Sequence, residues 1–111
     1  MASVSAEVID NTPQIKELAH EAIRTALEVV GLQAEGYAKH YCPVDTGRLR
    51  NSITHTYDDE FAYIGTNVEY APYVEYGTSR TQAQPFLKPA VNNHVDEYNR
   101  IFETYLRNTE G

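Results

Sequence analysis

Apolar residues recur at intervals of three and four between Ile15 and Tyr41: Ile15, Leu18, Ala19, Ala22, Ile23, Ala26, Leu27, Val30, Ala34, Tyr37, Ala38 and Tyr41. Lys16, Glu17, Glu21, Arg24, Glu28 and Glu35 fall on the other side. That period belongs to an amphipathic helix. Asn11 and Gln14 fit a capping box, and Pro13 suits a first turn. The spacing therefore predicts a helix to about Tyr41, roughly 40 Å long, ended by Pro43. Gly31 and Gly36 each weaken it by about 1 kcal/mol relative to alanine. They mark a bend, a close crossing or a tolerated cost. The period then changes to two. Leu49, Asn51, Ile53, His55 and Tyr57 alternate with Arg50, Ser52, Thr54 and Thr56, which predicts a strand. Asp58-Asp59-Glu60 makes a polar turn, and Phe61 to Thr66 a second strand. Together they form a hairpin that packs on the long helix. Two strands alone are marginal, so a third strand or a neighbouring subunit is expected to complete the sheet. Met1 to Asp10 is weakly patterned and reads as a flexible arm.

The stretch from Gly65 to Thr78 is the densest in backbone punctuation, with Gly65, Asn67, Pro72 and Gly77. Tyr70, Tyr73 and Tyr76 are spaced by three and share one face of a short helix, with Gly77 as its left-handed stop. Thr78 to Ala83 is a polar loop carrying Arg80. Pro85 and Pro89 bracket a helix entry with Phe86 and Leu87 packing inward. Val91, Val95, Tyr98, Ile101, Phe102, Tyr105 and Leu106 give a second amphipathic helix to about Arg107, with Asn108 to Gly111 fraying. The fold class is α+β, with a long N-terminal helix, a small antiparallel sheet built on a hairpin, a short aromatic helix and a C-terminal helix.

Length and composition sharpen this picture. The 111 residues suit one domain with a single core. One cysteine, Cys42, excludes an internal disulfide. Nine tyrosines against three phenylalanines and no tryptophan favour surfaces packed on one side and wet on the other. The formal charge of −7 argues against gripping nucleic acid through its phosphates. No apolar run approaches the roughly 20 residues of a membrane span, and Met1 to Asn11 lacks the regions of a signal peptide.

Candidate chemistry is sparse. His40 and Cys42 lie close in sequence, but a zinc site needs about four ligands. Asp58-Asp59-Glu60 is read as a solvated turn before a cation loop, and Glu69 and Glu75 as ion-pair or solvent-facing acids before a catalytic pair. Asp45-Thr46-Gly47 matches the aspartic-protease triplet, with no second copy. No catalytic residue, metal ligand or cofactor site is assigned, and no enzyme is expected. Asp45 and Gly47 are read as structural, along with Pro43, Gly65 and Gly77, at turns. The interface expected from the aromatic stretch comprises Tyr70, Tyr73, Glu75, Tyr76, Arg80 and Phe86.

Several blocks follow one another in order: Pro43-Val44-Asp45-Thr46-Gly47-Arg48-Leu49, Ser52-Ile53, Ile64-Gly65-Thr66-Asn67, Tyr70-Ala71-Pro72-Tyr73-Val74-Glu75-Tyr76-Gly77-Thr78, and Gln84-Pro85-Phe86-Leu87 with Pro89-Ala90. This series, over about Ala34 to Ala90, resembles a family of small tailed-phage virion proteins, the tail components that include head–tail joining, neck and tail-completion proteins. The resemblance implies an α+β fold and a homo-oligomeric ring between the portal-side connector and the tail. It implies head-closure or connector, tail-terminator or tail-tube proteins as partners, passive contact with translocating DNA, and no membrane. It places the protein at the head–tail joint of the virion, and in the host cytoplasm during assembly. No cofactor comes with it. Two other readings stand beside it: a small acidic regulatory or toxin–antitoxin-like binding module outside the virion, and a hydrolase using Asp45.

Overall fold

A computed structural model describes residues 4–10 and 20–110, with side chains from 20 to 107. The elements in order are β1 (Val4–Asp10), α1 (His20–Tyr41), α2 (Arg48–Ser52), β2 (Thr54–Tyr57), β3 (Phe61–Thr66), α3 (Ala71–Tyr76), α4 (Leu87–Asn92) and α5 (Val95–Glu110). The expected helix start at Asn11 to Gln14 lies outside the described residues.

The sheet has the order β1-β3-β2 and is antiparallel throughout. Val4 to Asp10, expected as a loose arm, instead forms an edge strand, with Val4 opposite Thr66 and Ala6 opposite Ile64. It supplies the third strand that a bare hairpin lacks. On central β3, Ala62, Ile64 and Thr66 are buried while Phe61, Tyr63 and Gly65 are half-exposed, so one face meets the helices. Gly65 therefore sits inside a strand, opposite Ser5 and Thr54, and not at a turn.

Helix α1 buries Ala22, Ile23, Ala26, Leu27, Val30, Gly31, Ala34 and Ala38 along one stripe. The small residues let neighbouring elements come close. A Cβ on Gly31 would lie 2.9 Å from the His55 ring of β2, whereas one on Gly36 would meet nothing within 4 Å. Gly31 thus marks a close crossing, and Gly36 is the tolerated cost. The last helical bond runs from Cys42 N–H to Ala38 O at 2.9 Å. Pro43 has no N–H with which to continue.

Residues 49–52, expected to open a strand, lie instead in the helix α2. Leu49 and Ile53 are four apart, so their inward placement fits either period; both are buried. This short helix is decided by Gly47 at φ 87, whose carbonyl accepts from Asn51 N–H at 2.9 Å. Asn51, which the alternating pattern would turn inward, is exposed. Only Thr54–Tyr57 remains as strand. The C-terminal helix is likewise two elements. α4 closes where Asn93 N–H meets Pro89 O, and α5 runs past the expected fraying point to Glu110. Tyr98 reaches back from α5 to donate to Ala90 O at 2.5 Å, and its ring is buried. The core joins Leu27, Val30, Ile53, Ile64, Phe86 and Leu87 between the sheet and α1, α4 and α5.

Candidate functional site

Three segments meet at the end of α1 where its chain leaves: residues 43–49, helix α3, and the loop 78–84. Between residues 43–49 and the chain at Tyr70 and Val74 runs a groove of about 600 Å³, walled by Val44, Thr46 and Arg48 and floored by Tyr70 and Val74. A second depression of about 190 Å³ adjoins it and continues to Tyr73, Thr78 and Gln84. Pro43, Tyr70 and Val74 line both. Around this groove the chain leaves large apolar side chains in water: Val44 is 55% exposed, Tyr73 61% and Tyr76 59%.

The local chemistry explains why the groove holds its shape. Pro72 starts α3 with φ already set. Gly77 ends it at φ 77, packed so tightly that a Cβ would lie 2.8 Å from Ala83 N and 2.9 Å from Thr81 O. The loop is pinned to the helix by Gln84 N–H donating to Val74 O at 2.8 Å. Within the loop, Thr78 Oγ1 accepts from Arg80 N–H and Thr81 N–H. On the other wall Arg48 donates to both carboxylate oxygens of Glu69, at 3.2 and 3.0 Å, and lies 5.4 Å over the Tyr70 ring. The Arg48 hydrogen bond holds the Glu69 carboxyl below its usual range. Lys88 sits 4.9 Å over Tyr76.

Of the expected interface residues, Tyr70 and Tyr73 line the groove or its adjoining depression, while Tyr76 on α3 and Arg80 in the loop 78–84 are exposed without lining either. Glu75 and Phe86 are not at this surface. Phe86 is fully buried in the core, where its ring has apolar neighbours. Glu75 is 2% exposed, and its carboxylate accepts from Phe86 N–H at 3.0 Å, Leu87 N–H at 2.9 Å and Lys88 N–H at 3.1 Å. These are the donors left open at the start of α4, so the acid is a capping group and not a contact for another chain. Asp45 is exposed and enters none of the described hydrogen bonds; Thr46 Oγ1 accepts from Arg48 N–H in the place expected of it. Pro43, expected to end a helix and to hold a turn, is also a lining residue of the groove.

The other candidates resolve into structure. Asp58 accepts from Glu60 N–H and Phe61 N–H at 2.8 Å and from Tyr63 OH, and the two backbone bonds hold its carboxyl below the usual range. Asp59 takes Arg24. Cys42 is buried beside the Pro43 carbonyl, and burial pushes its thiol up against a smaller opposing pull from Arg50. Among the described residues no three His, Cys, Asp or Glu side chains converge as metal ligands. None of the described helices is long and apolar enough to cross a membrane. A cluster the pattern did not bring together joins α1 to the start of α5. Tyr37 stacks on His94 at 3.5 Å and donates to Glu97, while Tyr41 OH bonds His94 Nε2 at 2.8 Å. The spacing of Tyr37 and Tyr41 by four was the available signal.

A family model described as "Bacteriophage HK97-gp10, putative tail-component" matches residues 6–77. The chain belongs to this HK97-gp10-like family. Membership gives it a structural role as a phage tail component. The resemblance read from the ordered blocks is thereby borne out. The match runs from within β1 through α3, so it contains the 43–49 wall and the aromatic floor of the groove. The wall from 78 to 84 and helices α4 and α5 lie beyond it. Comparison with curated proteins and with solved structures returned no significant match.

Proposed function

We propose that this HK97-gp10-like chain is a single-domain ring subunit of the head–tail joint, in the neck or tail-completion layer. It joins the portal-side connector to the tail and leaves a passage for DNA. The observation that carries the reading is the rigid groove with Val44, Tyr73 and Tyr76 exposed around it. A surface of aromatic anchors on hydrogen-bonded loops suits docking to protein. The partners are other copies of the chain and the connector, tail-terminator or tail-tube proteins on either side. The charge of −7 suits a conduit wall that lets DNA slide. The role is assembly and not catalysis.

Cryo-electron microscopy of virions tests this. Density for the chain at the head–tail joint supports it. Density at the capsid interior or the tail tip, or absence from the particle with a soluble host partner instead, refutes it.

A further inference from the structure

Helix α1 carries a second stripe, on the side turned away from the core. Thr25, Val29, Leu32 and Gly36 follow at intervals of four, three and four, which keeps them on one side of a helix. The buried stripe with Ile23, Leu27, Val30 and Ala34 lies on the opposite side. Leu32 is 58% exposed, a large apolar side chain left in water. Gly36, one turn later, is exposed, and a Cβ there would meet nothing within 4 Å. It sits in a depression of about 350 Å³ with Gln33, Tyr37 and His40. No contact among the described residues requires a glycine at this point, and alanine would favour the helix. The stripe thus sets a projecting leucine one turn from an open hollow.

The flank of this stripe toward β2 carries opposite charges at two levels. Glu28 lines a shallow hollow with Tyr57 of β2. It is exposed and enters none of the described hydrogen bonds or ion pairs. Lys39 pairs with Glu35 at 3.2 Å, and Glu35 in turn bonds His55 of β2 at 2.8 Å. Glu35 is therefore already held, whereas the ammonium of Lys39 has further donors to give.

We infer that α1 of one copy lies across α1 of a second copy of this chain, antiparallel and two-fold symmetric about the level of Ala34. Positions 32 and 36 are equally far from 34, so the leucine of each copy lies over the glycine of the other. The missing side chain at Gly36 lets the helices come close there. A two-fold axis between antiparallel helices brings like flanks together, so each Glu28 meets the second copy's Lys39 within about one residue of the same level. Parallel helices in register would instead set leucine against leucine and leave the two glycines facing across a void. The contact is isologous, one patch meeting itself. It uses a face distinct from the groove, goes beyond the ring reading and stands without it.

A carbodiimide crosslinker, which joins a lysine to a carboxylate in direct contact, tests this on the isolated full chain at about 1 mM, where weak contacts are populated. Along one helix Glu28 and Lys39 are about 16 Å apart, so a bond between them reports two copies. The wild type should give covalent dimers with Lys39 joined to Glu28. Leu32→Glu should lower the dimer yield about tenfold or more, since it buries a charge at the crossing. Gly36→Leu should lower it as well by filling the hollow, whereas unspecific apolar clustering would raise it. Glu28→Lys and Lys39→Glu should each lose dimers, because like charges then face each other. An equimolar mixture of these two variants should regain them, since the unlike copies restore both opposite-charge contacts. That recovery also shows that both variants fold. Absence of dimers from the wild type, crosslinks joining other segments, a higher yield from Gly36→Leu, or no recovery in the mixture overturns the inference. None of these outcomes bears on where the chain sits in the particle, which microscopy decides separately.

Discussion

Replacing Glu75 should be among the most damaging single changes to this chain, although its sequence context suggests a surface acid. The carboxylate is buried and accepts three backbone N–H groups of residues 86–88. In Glu75→Ala all three donors lose their partner. A buried donor left unsatisfied costs about 1–3 kcal/mol. Leu87 and Phe86 are buried, whereas Lys88 is exposed and its N–H can turn to water. Two uncompensated donors, with partial hydration of the third, give a loss of about 3 kcal/mol. That is a large share of the roughly 5–15 kcal/mol by which a domain is stable. The melting temperature should fall by about 12 °C, at about 4 °C per kcal/mol for this size. Glu75→Gln keeps Oε1, which accepts from Phe86 and Leu87, and turns an NH₂ toward Lys88 N–H. It should lose less than alanine does. Urea unfolding followed by circular dichroism gives both values. Hydrogen exchange should localise the damage to the loop 78–84 and the start of α4. If Glu75→Ala loses under about 1 kcal/mol, the capping assignment is wrong and the acid is available to another chain.

The two helix glycines separate cleanly. Gly36→Ala should stabilise by about 0.5–1 kcal/mol, since a Cβ there meets nothing. Gly31→Ala should destabilise, because its Cβ would press on His55; thermal melts of the pair check this. Gly77→Ala places a methyl against backbone at φ 77 and should cost about 2 kcal/mol or more. Tyr73→Ser and Tyr76→Ser should leave stability within about 0.5 kcal/mol while leaving heads and tails unjoined; normal infectious particles from both would count against the patch. Partial burial pushes the Glu35 carboxyl up, but hydrogen bonds from His55 and Lys39 outweigh it and leave it below its ordinary value of 4.5. A depressed carboxyl contributes stability above its unfolded value that is lost as pH falls through the folded one. Glu35→Gln should therefore be less stable than the wild type at pH 7, with the gap closing below about pH 4.5.

Most of the architecture was legible because periodicity and punctuation agreed. The 3.6 period of α1 with its stop at Pro43, and the tyrosine spacing of α3 with its Pro72–Gly77 bracket, each rest on two independent signals. Legibility failed where one pattern served two structures. Leu49 and Ile53 satisfy a period of two and of four alike, and only the φ of Gly47 separates them. Val4 to Asp10 lacks a pattern of its own because its pairing partner, β3, lies more than fifty residues away and supplies the register. The aromatic face of the site was visible from three tyrosines, but its second wall was not. The spacing of eleven to thirteen residues between Glu75 and its donors belongs to no local motif, so an acid between two exposed tyrosines reads as surface.

That same hidden acid bears on how the groove can work. Docking immobilises loops and side chains, at about 0.5–1.5 kcal/mol for each flexible side chain ordered. Here the ordering is done before any partner arrives. Glu75 fixes the start of α4, Gln84 fixes the loop to α3, and Arg48 is held between Glu69 and Tyr70. The exposed anchors are tyrosines, whose rings have few rotamers to lose. A surface of this kind gains from each contact without a folding transition, so one docking event can stay weak while a closed ring, in which every subunit is held twice, is strong. Loosening the groove through Glu75 should accordingly harm assembly more than it harms any single pairwise contact.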